Sequence, residues 1–175
     1  FNNFSKEYFE NKYENERRYD KLFKNADTYL EKILQKINEL EFDKNSIIVV
    51  LSDHGISLGE KFGERAYGAF CYDYTIKTFC YIKSPEIKPK TIHQQVRHID
   101  IMPTILDMLG ISLSKNYENL DGISLMPLIK GGILDENIAY SETGNPLDEK
   151  APPKEPNIHS IRTTNWKLIY NSHNN

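Results

Sequence analysis

Residues 46–55 read Ser-Ile-Ile-Val-Val-Leu-Ser-Asp-His-Gly, an apolar and largely β-branched run that leads into Asp53 and His54. Such a run predicts a β-strand over residues 47–51. Because it is apolar throughout rather than at every second position, we expect a central parallel strand that is covered on both faces. Ligands of α/β sheets bind just beyond the carboxyl ends of the strands, which is where Asp53 and His54 follow.

The Asp-His pair has two interpretations. A carboxylate and a neutral imidazole suit a hard or borderline divalent cation, and the backbone past a strand end can turn so that both side chains point inward. Alternatively, Asp53 caps the following turn and His54 is a buried histidine with satisfied hydrogen bonds. Two side chains do not complete a coordination sphere, so a metal site here requires further ligands from elsewhere.

A long amphipathic helix is predicted before this strand. Apolar side chains recur at helical spacing over residues 19–40, with Lys and Glu on the opposite face. Residues 1–18 are polar with scattered aromatic side chains, and we interpret them as a helical lead-in or a frayed arm.

A loop rich in Gly, Glu, Lys and Tyr follows the strand over residues 55–77. Two of its cations, Lys61 and Arg65, could neutralise an anionic substrate near a bound cation. They could instead pair with Glu60 and Glu64, in which case the loop is simply a solvated charged segment.

The remainder of the chain predicts a second strand, a short helix and a hairpin. The strand covers residues 78–83, the helix is capped by Asp100 and ends at Gly110, and the hairpin joins residues 159–163 to 166–170. This order of elements predicts an α/β core with a small appended β-element.

The bulk composition narrows the function classes. With 175 residues, 27% of them charged and 39% hydrophobic, the chain is expected to form a soluble globular domain. A net charge of -3 gives no electrostatic basis for binding nucleic acid. No apolar run approaches the roughly 18 residues that span a bilayer and no signal peptide is evident, which favours a cytoplasmic location. Cys71 and Cys80 are expected to be buried free thiols rather than a disulfide.

Taken in order, the motifs over residues 19–171 resemble the C-terminal part of a sulfatase of the alkaline phosphatase superfamily. The helix and the strand ending in Ser-Asp-His-Gly come first. The further matching segments are Leu58-Gly59-Glu60, residues 72–78, residues 96–110, residues 120–131, residues 140–142 and residues 160–170.

This resemblance implies an alkaline-phosphatase-like, mostly parallel sheet with flanking helices, plus a small C-terminal antiparallel β-element. Residues 1–134 would belong to the α/β catalytic domain and residues 135–175 to an antiparallel subdomain of the same fold. Asp53 and His54 would bind the catalytic divalent cation. Calcium is the first expectation, with magnesium, manganese and zinc as alternatives.

The resemblance also implies a positive side chain that contacts a sulfate or phosphate ester, with Lys61 as the first candidate and Arg65 as the second. The loop departs from the common family pattern at two places. Lys61 stands where many members have His, and Tyr67-Gly68 replaces a His-Gly pair found in others.

A nucleophile is missing from the sequence. The N-terminal half of such enzymes carries a paired-Asp metal motif and a Cys/Ser-x-Pro-x-Arg motif, and neither occurs here. We therefore expect the C-terminal part of a metal-dependent sulfuric ester hydrolase, inactive as this chain alone. The alternatives are a phosphodiesterase, phosphonate hydrolase or phosphoglycerol transferase of the same superfamily, or a non-catalytic interaction domain. If part of the sheet is supplied by residues outside this chain, one strand is left with an unpaired backbone edge. Self-association through that edge is therefore also expected.

Overall fold

The protein is described by a computed structural model in which two compact units are distinguished. The described residues are 6–62, 64, 66–112, 120–144 and 155–172. The first unit comprises Phe1–Ser84, Ser141–Ser160 and Ile169–Asn175, and the second comprises Pro85–Tyr140 and Ile161–Leu168. The expected division between residues 134 and 135 stays a prediction.

Two helices open the first unit, α1 at Lys6–Glu10 and α2 at Lys12–Glu39. The predicted long helix is therefore confirmed, and it begins earlier than its apolar periodicity indicates. In its first turns Glu14 accepts hydrogen bonds from Arg17 and Arg18, which lower the pKa of Glu14 to about 2. This carboxylate also complements the positive end of the helix dipole. Among the described residues, no helix is long and apolar enough to cross a lipid bilayer.

Both predicted strands of the first unit are present. A 3₁₀ turn at Phe42–Asn45 leads into β1 at Ile48–Leu51, which pairs with β2 at Cys80–Lys83. The pairing is antiparallel, with Ile48 opposite Lys83. Along the chain, the one-turn helix α3 at Asp73–Ile76 comes between the two strands.

The α/β class and the appended antiparallel sheet are confirmed, but the expected surroundings of β1 need correction. In the described part of the chain, the neighbour of β1 is antiparallel rather than parallel. The residues of β1 are half-buried to exposed rather than covered on both faces. An apolar run reports how much surface a strand can bury, but it carries no information on the direction of the strand beside it.

The second unit contains an ion pair between the half-buried Arg97 and the buried Asp100. The helix α4 at Ile101–Met108 follows a 3₁₀ turn at His98–Asp100. Arg97 Nη2 lies 2.8 Å from Asp100 Oδ1, and the same oxygen accepts the backbone N–H of Ile123 at 3.0 Å. The sequence predicts Asp100 as the cap of α4, but its carboxylate makes no capping bond to that helix. It accepts the Arg97 backbone N–H instead and so closes the preceding turn.

The remaining elements are a one-turn helix, α5 at Met126–Ile129, and a three-stranded sheet. The sheet contains β3 at Ala139–Thr143, β4 at Ile158–Arg162 and β5 at Lys167–Asn171, in that order. The Thr163 N–H donates to the Trp166 carbonyl at 2.8 Å and closes the hairpin between β4 and β5. This confirms the predicted antiparallel hairpin.

Neither Cys71 nor Cys80 forms a disulfide, and only Cys71 is buried. Cys80 is exposed, so its predicted burial is wrong. It lies at the first residue of a strand whose described sheet has only two strands, and a two-stranded sheet has limited capacity to cover its end residues.

Candidate functional site

The Asp-His corner begins two residues after β1. The Asp53 side chain is 88% exposed, and its Oδ1 accepts the backbone N–H of His54 at 2.9 Å. The Asp53 carboxylate therefore bonds to the backbone of the next residue, while its other oxygen stays accessible. The His54 side chain is 44% exposed, so the alternative of a buried histidine is wrong.

The geometry of the His54 ring defines which nitrogen can bind a ligand. Its Nδ1 lies 2.6 Å from the Gly55 carbonyl oxygen, which can only accept a hydrogen bond. A neutral ring must therefore carry its proton on Nδ1, and the lone pair is on Nε2. This nitrogen lies 3.6 Å from Asp53 Oδ2, so one carboxylate oxygen and one imidazole nitrogen are close together. A ring N–H donated to a carbonyl is the usual arrangement behind a metal-bound histidine.

Gly55 fixes this corner against the segment that includes α3. Its N–H donates to the Thr75 carbonyl at 2.8 Å. A Cβ at position 55 would lie 2.2 Å from the Tyr74 carbonyl oxygen, so the two backbones meet at a distance that only glycine permits. The Asp-His pair is thus held on a tightly packed backbone support.

The loop after the corner is ordered by its two acidic side chains. Glu60 Oε2 accepts the Leu58 N–H at 2.7 Å and closes its own turn. Glu64 is 2% exposed, and its carboxylate accepts the Ala69 N–H at 2.7 Å and the Tyr74 hydroxyl at 3.5 Å. Burial, followed by the charge of Glu64, raises the pKa of Tyr74, so the Tyr74 hydroxyl stays a donor to this carboxylate.

Lys61 is exposed and lies against an aromatic ring. Its Nζ is 4.4 Å from the centroid of Tyr72, a cation–π contact. Tyr67, at a position where the sequence departs from the family pattern, makes a T-shaped ring contact with His54, with the centroids 5.3 Å apart. Arg65, the other predicted anion-binding residue, lies outside the described residues.

The amino-terminal segment contacts this loop, which the sequence did not predict. The Tyr8 hydroxyl donates to the Ser57 carbonyl at 2.9 Å, and Asn15 Nδ2 donates to the Leu58 carbonyl at 3.0 Å. The rings of Phe9 and Phe62 lie 5.0 Å apart. The only signal in the sequence is the presence of aromatic side chains in an otherwise polar stretch.

The corner brings together two side chains of the kind that bind cations, those of Asp53 and His54. Within the described ranges, no group of three or more His, Cys, Asp and Glu side chains is placed to hold a metal ion. A hard carboxylate oxygen beside an imidazole nitrogen nevertheless fits a divalent cation, provided that further ligands are supplied.

Curated relatives of this chain are sulfatases. It is 32% identical over 143 residues to the N-acetylglucosamine-6-sulfatase of Bos taurus, which covers 76% of this chain and 24% of that protein. It is 31% identical over 105 residues to the extracellular sulfatase SULF-1 homolog of Drosophila melanogaster, covering 59% and 9% of the two chains. The chain therefore spans about a quarter or less of the length of these relatives. An extracellular relative gives no support to the expected cytoplasmic location.

The fold is shared with a solved hydrolase, and the sequence matches a family model. The phosphonate monoester hydrolase of Silicibacter pomeroyi superposes with a TM-score of 0.66 at 25% identity, over 83% of this chain and 30% of that one. The Sulfatase family model matches residues 1–111, which is more than half of the sequence and includes the amino-terminal helices. The chain belongs to the sulfatase family.

Proposed function

We propose that this chain supplies part of the active site of a metal-dependent sulfuric ester hydrolase, with Asp53 and His54 as cation ligands. The observation that carries this proposal is the His54 ring, whose Nδ1 faces the Gly55 carbonyl and whose Nε2 lies 3.6 Å from Asp53 Oδ2. Calcium is the cation we propose first, because the exposed carboxylate is a hard ligand, with magnesium, manganese and zinc as alternatives. When bound, the cation would stabilise negative charge on the ester oxygens.

Lys61 is proposed to bind the anionic group of the substrate. The exposed contact with Tyr72 is worth only about 0.5–1 kcal/mol, so it orients the ammonium without preventing its transfer to an anion. Glu60 directs its carboxylate to the Leu58 backbone N–H and the Ser57 hydroxyl rather than to this lysine. Arg65 stays a second proposed anion-binding residue.

The 175 residues alone are proposed to be inactive. The chain contains no Cys/Ser-x-Pro-x-Arg motif, so it has no nucleophile of the family type. The described residues also offer two ligands where a catalytic cation needs more.

Turnover of an aryl sulfate tests this function. A longer protein that contains these 175 residues together with the rest of the catalytic domain is expected to hydrolyse the aryl sulfate. It should lose activity in EDTA and regain it with calcium. The purified 175-residue chain, measured in parallel, should show no turnover. Activity of that chain alone, or activity of the complete protein that resists chelation, would contradict the proposal.

A phosphonate or phosphate ester is the second candidate substrate class, together with the related phosphodiesterase and phosphoglycerol transferase reactions. The superposition on a phosphonate monoester hydrolase favours this candidate. The same assay decides between the two, because an aryl phosphonate offered beside the aryl sulfate would be the better substrate if this candidate is correct. Lack of turnover of either ester, together with lack of cation binding, would instead favour a non-catalytic interaction domain.

Self-association of the isolated chain is also proposed. The apolar side of α2 is exposed, with Leu22 and Ile33 at 68% and 57%, and the rings of Phe23, Phe79 and Tyr81 continue this surface onto β2. In the described residues β1 and β2 form a two-stranded sheet, so each has an unpaired edge. Exposed apolar surface and free strand edges both favour association between copies.

Light scattering should therefore report a dimer or larger species for the 175-residue chain. Leu22→Lys with Ile33→Lys is expected to reduce the association, because it places two charges on the apolar face. Thr28→Lys with Gln35→Lys adds the same charge to the opposite side of α2 and should leave the mass unchanged. A compact monomer at all concentrations would refute this prediction.

A further inference from the structure

The corner between α1 and α2 holds the site loop, which we define as residues 57–62. Three independent contacts connect them, two hydrogen bonds and one ring pair. The Tyr8 hydroxyl bonds to the Ser57 carbonyl, the Asn15 amide bonds to the Leu58 carbonyl, and Phe9 packs on Phe62. Lys61 lies between two of these anchored positions.

The Asn15 side chain acts as a bridge. Its Nδ2 donates to the Leu58 carbonyl at 3.0 Å and to the Tyr8 carbonyl at 2.7 Å. An amide NH₂ has two hydrogens, so each carbonyl receives one. One hydrogen bond fixes the turn between the helices and the other fixes the loop. An aspartate at this position would place oxygen atoms against two carbonyl oxygens and would lose both bonds.

The loop backbone approaches this corner at a glycine. Gly59 has a φ of +108°, and a Cβ there would lie 3.3 Å from the Tyr8 carbonyl oxygen and 3.5 Å from Asn15 Nδ2. The loop therefore lies directly on the helix corner over Leu58 and Gly59. Burial, followed by the charge of Glu60, raises the pKa of Tyr8, so its hydroxyl remains protonated and donates to Ser57.

From these contacts we infer that Asn15 is a positioning residue for anion binding, which acts by holding the site loop that carries Lys61. It does not touch the anion itself. This inference rests on the proposed role of Lys61, and it assigns a function to a segment that the sequence gives no reason to connect with the site.

The test compares Asn15→Asp with Asn25→Asp, an exposed asparagine on the same helix, in a protein with a complete catalytic domain. Hydrogen exchange of the backbone amides of residues 57–62 should become faster in Asn15→Asp. KM for an aryl sulfate and the inhibition constant of inorganic sulfate should rise about tenfold, the order expected for a lost hydrogen bond to a positioned loop. The value of kcat should change less than about twofold, and Asn25→Asp should behave as the parent does.

Two results would overturn the inference. Unchanged exchange in Asn15→Asp would show that the bridge does not hold the loop. Faster exchange with unchanged sulfate inhibition would show that the loop does not position an anion-binding group. If Asn15→Asp fails to fold, Tyr8→Phe removes only the hydroxyl bond to Ser57 and gives the same measurements, with a smaller expected effect.

A Lys61→Gln variant separates this inference from the proposed function. It should weaken sulfate inhibition without altering exchange in the loop. If Lys61→Gln leaves sulfate inhibition unchanged, Lys61 does not bind the anion. The inferred role of Asn15 in anion binding is then also wrong. The exchange data for Asn15→Asp would then still report on the bridge alone.

Discussion

Replacement of Asp53 by alanine is expected to lower kcat/KM by more than about 100-fold in a protein with a complete catalytic domain. The physical reason is the loss of a direct cation ligand. Removal of a group that merely orients a metal ligand already lowers metal affinity or activity by about 10–100-fold, so removal of a direct ligand should lower them further. Steady-state kinetics at a series of calcium concentrations measure the effect, and high calcium should restore part of the activity.

Asp53 also accepts the His54 backbone N–H, so a second variant is needed to separate this structural bond from cation binding. Asp53→Asn keeps an oxygen that can accept the His54 N–H at the observed 2.9 Å, but it removes the negative charge. Its melting temperature should match that of the parent, whereas calcium binding measured by calorimetry should be lost. Asp20→Ala, at an exposed position of α2, is the control for removing a carboxylate elsewhere. Unchanged activity in Asp53→Ala and Asp53→Asn would show that Asp53 is not a ligand.

Replacement of Gly55 by alanine has the second largest expected effect, and it acts through packing. The added Cβ would lie 2.2 Å from the Tyr74 carbonyl oxygen, so the backbone must move and the 2.8 Å bond from Gly55 N–H to the Thr75 carbonyl is lost. Overpacking of this kind costs about 1–3 kcal/mol or more. Because a displacement of about 1 Å at a reacting group can cost about 100-fold in rate, activity should fall further than stability alone explains.

Gly110 offers a matched glycine for comparison. It has a φ of +66°, and among the described residues no atom lies within 4 Å of the place that a Cβ would take, so Gly110→Ala introduces backbone strain without a clash. This strain costs about 1–2 kcal/mol. Denaturant unfolding should show a lower free energy of unfolding for both variants, whereas only Gly55→Ala should lower kcat/KM of the folded protein. Normal activity in folded Gly55→Ala would contradict a rigid support for the Asp-His corner.

Short-range patterns in the sequence predict the elements of this fold well. The apolar spacing of α2, the β-branched run of β1 and the turn at Thr164-Asn165 each depend on neighbouring residues, and each appears in the structure. The direction of the strand beside β1 depends on β2, which is about 30 residues away along the chain. The apolar composition of β1 contains no information about it.

The candidate site likewise contains residues that local sequence identifies and residues that only long-range contacts identify. Asp53 and His54 can be picked out from the sequence as candidate ligands because a carboxylate and an imidazole come just after an apolar strand. Asn15 cannot, because its bond to Leu58 spans 43 residues and an asparagine in a charged helix looks like any other polar side chain. Asp100 illustrates a third case, in which the sequence identifies a structural residue but not its partner, the Arg97 guanidinium.

The contacts of Asn15 have a consequence for the length of α2. The helix has 28 residues and is therefore about 42 Å long. One end connects to β1 through the 3₁₀ turn, and the other end bonds to the loop that follows β1, so residues 8–58 close into a ring. Removal of one helical turn would shift Asn15 by about 5.4 Å, well beyond hydrogen-bond reach of Leu58. The length of α2 thus determines where Asn15 meets the site loop. Insertions or deletions in the exposed middle of the helix should therefore weaken anion binding, even though no residue there touches the site.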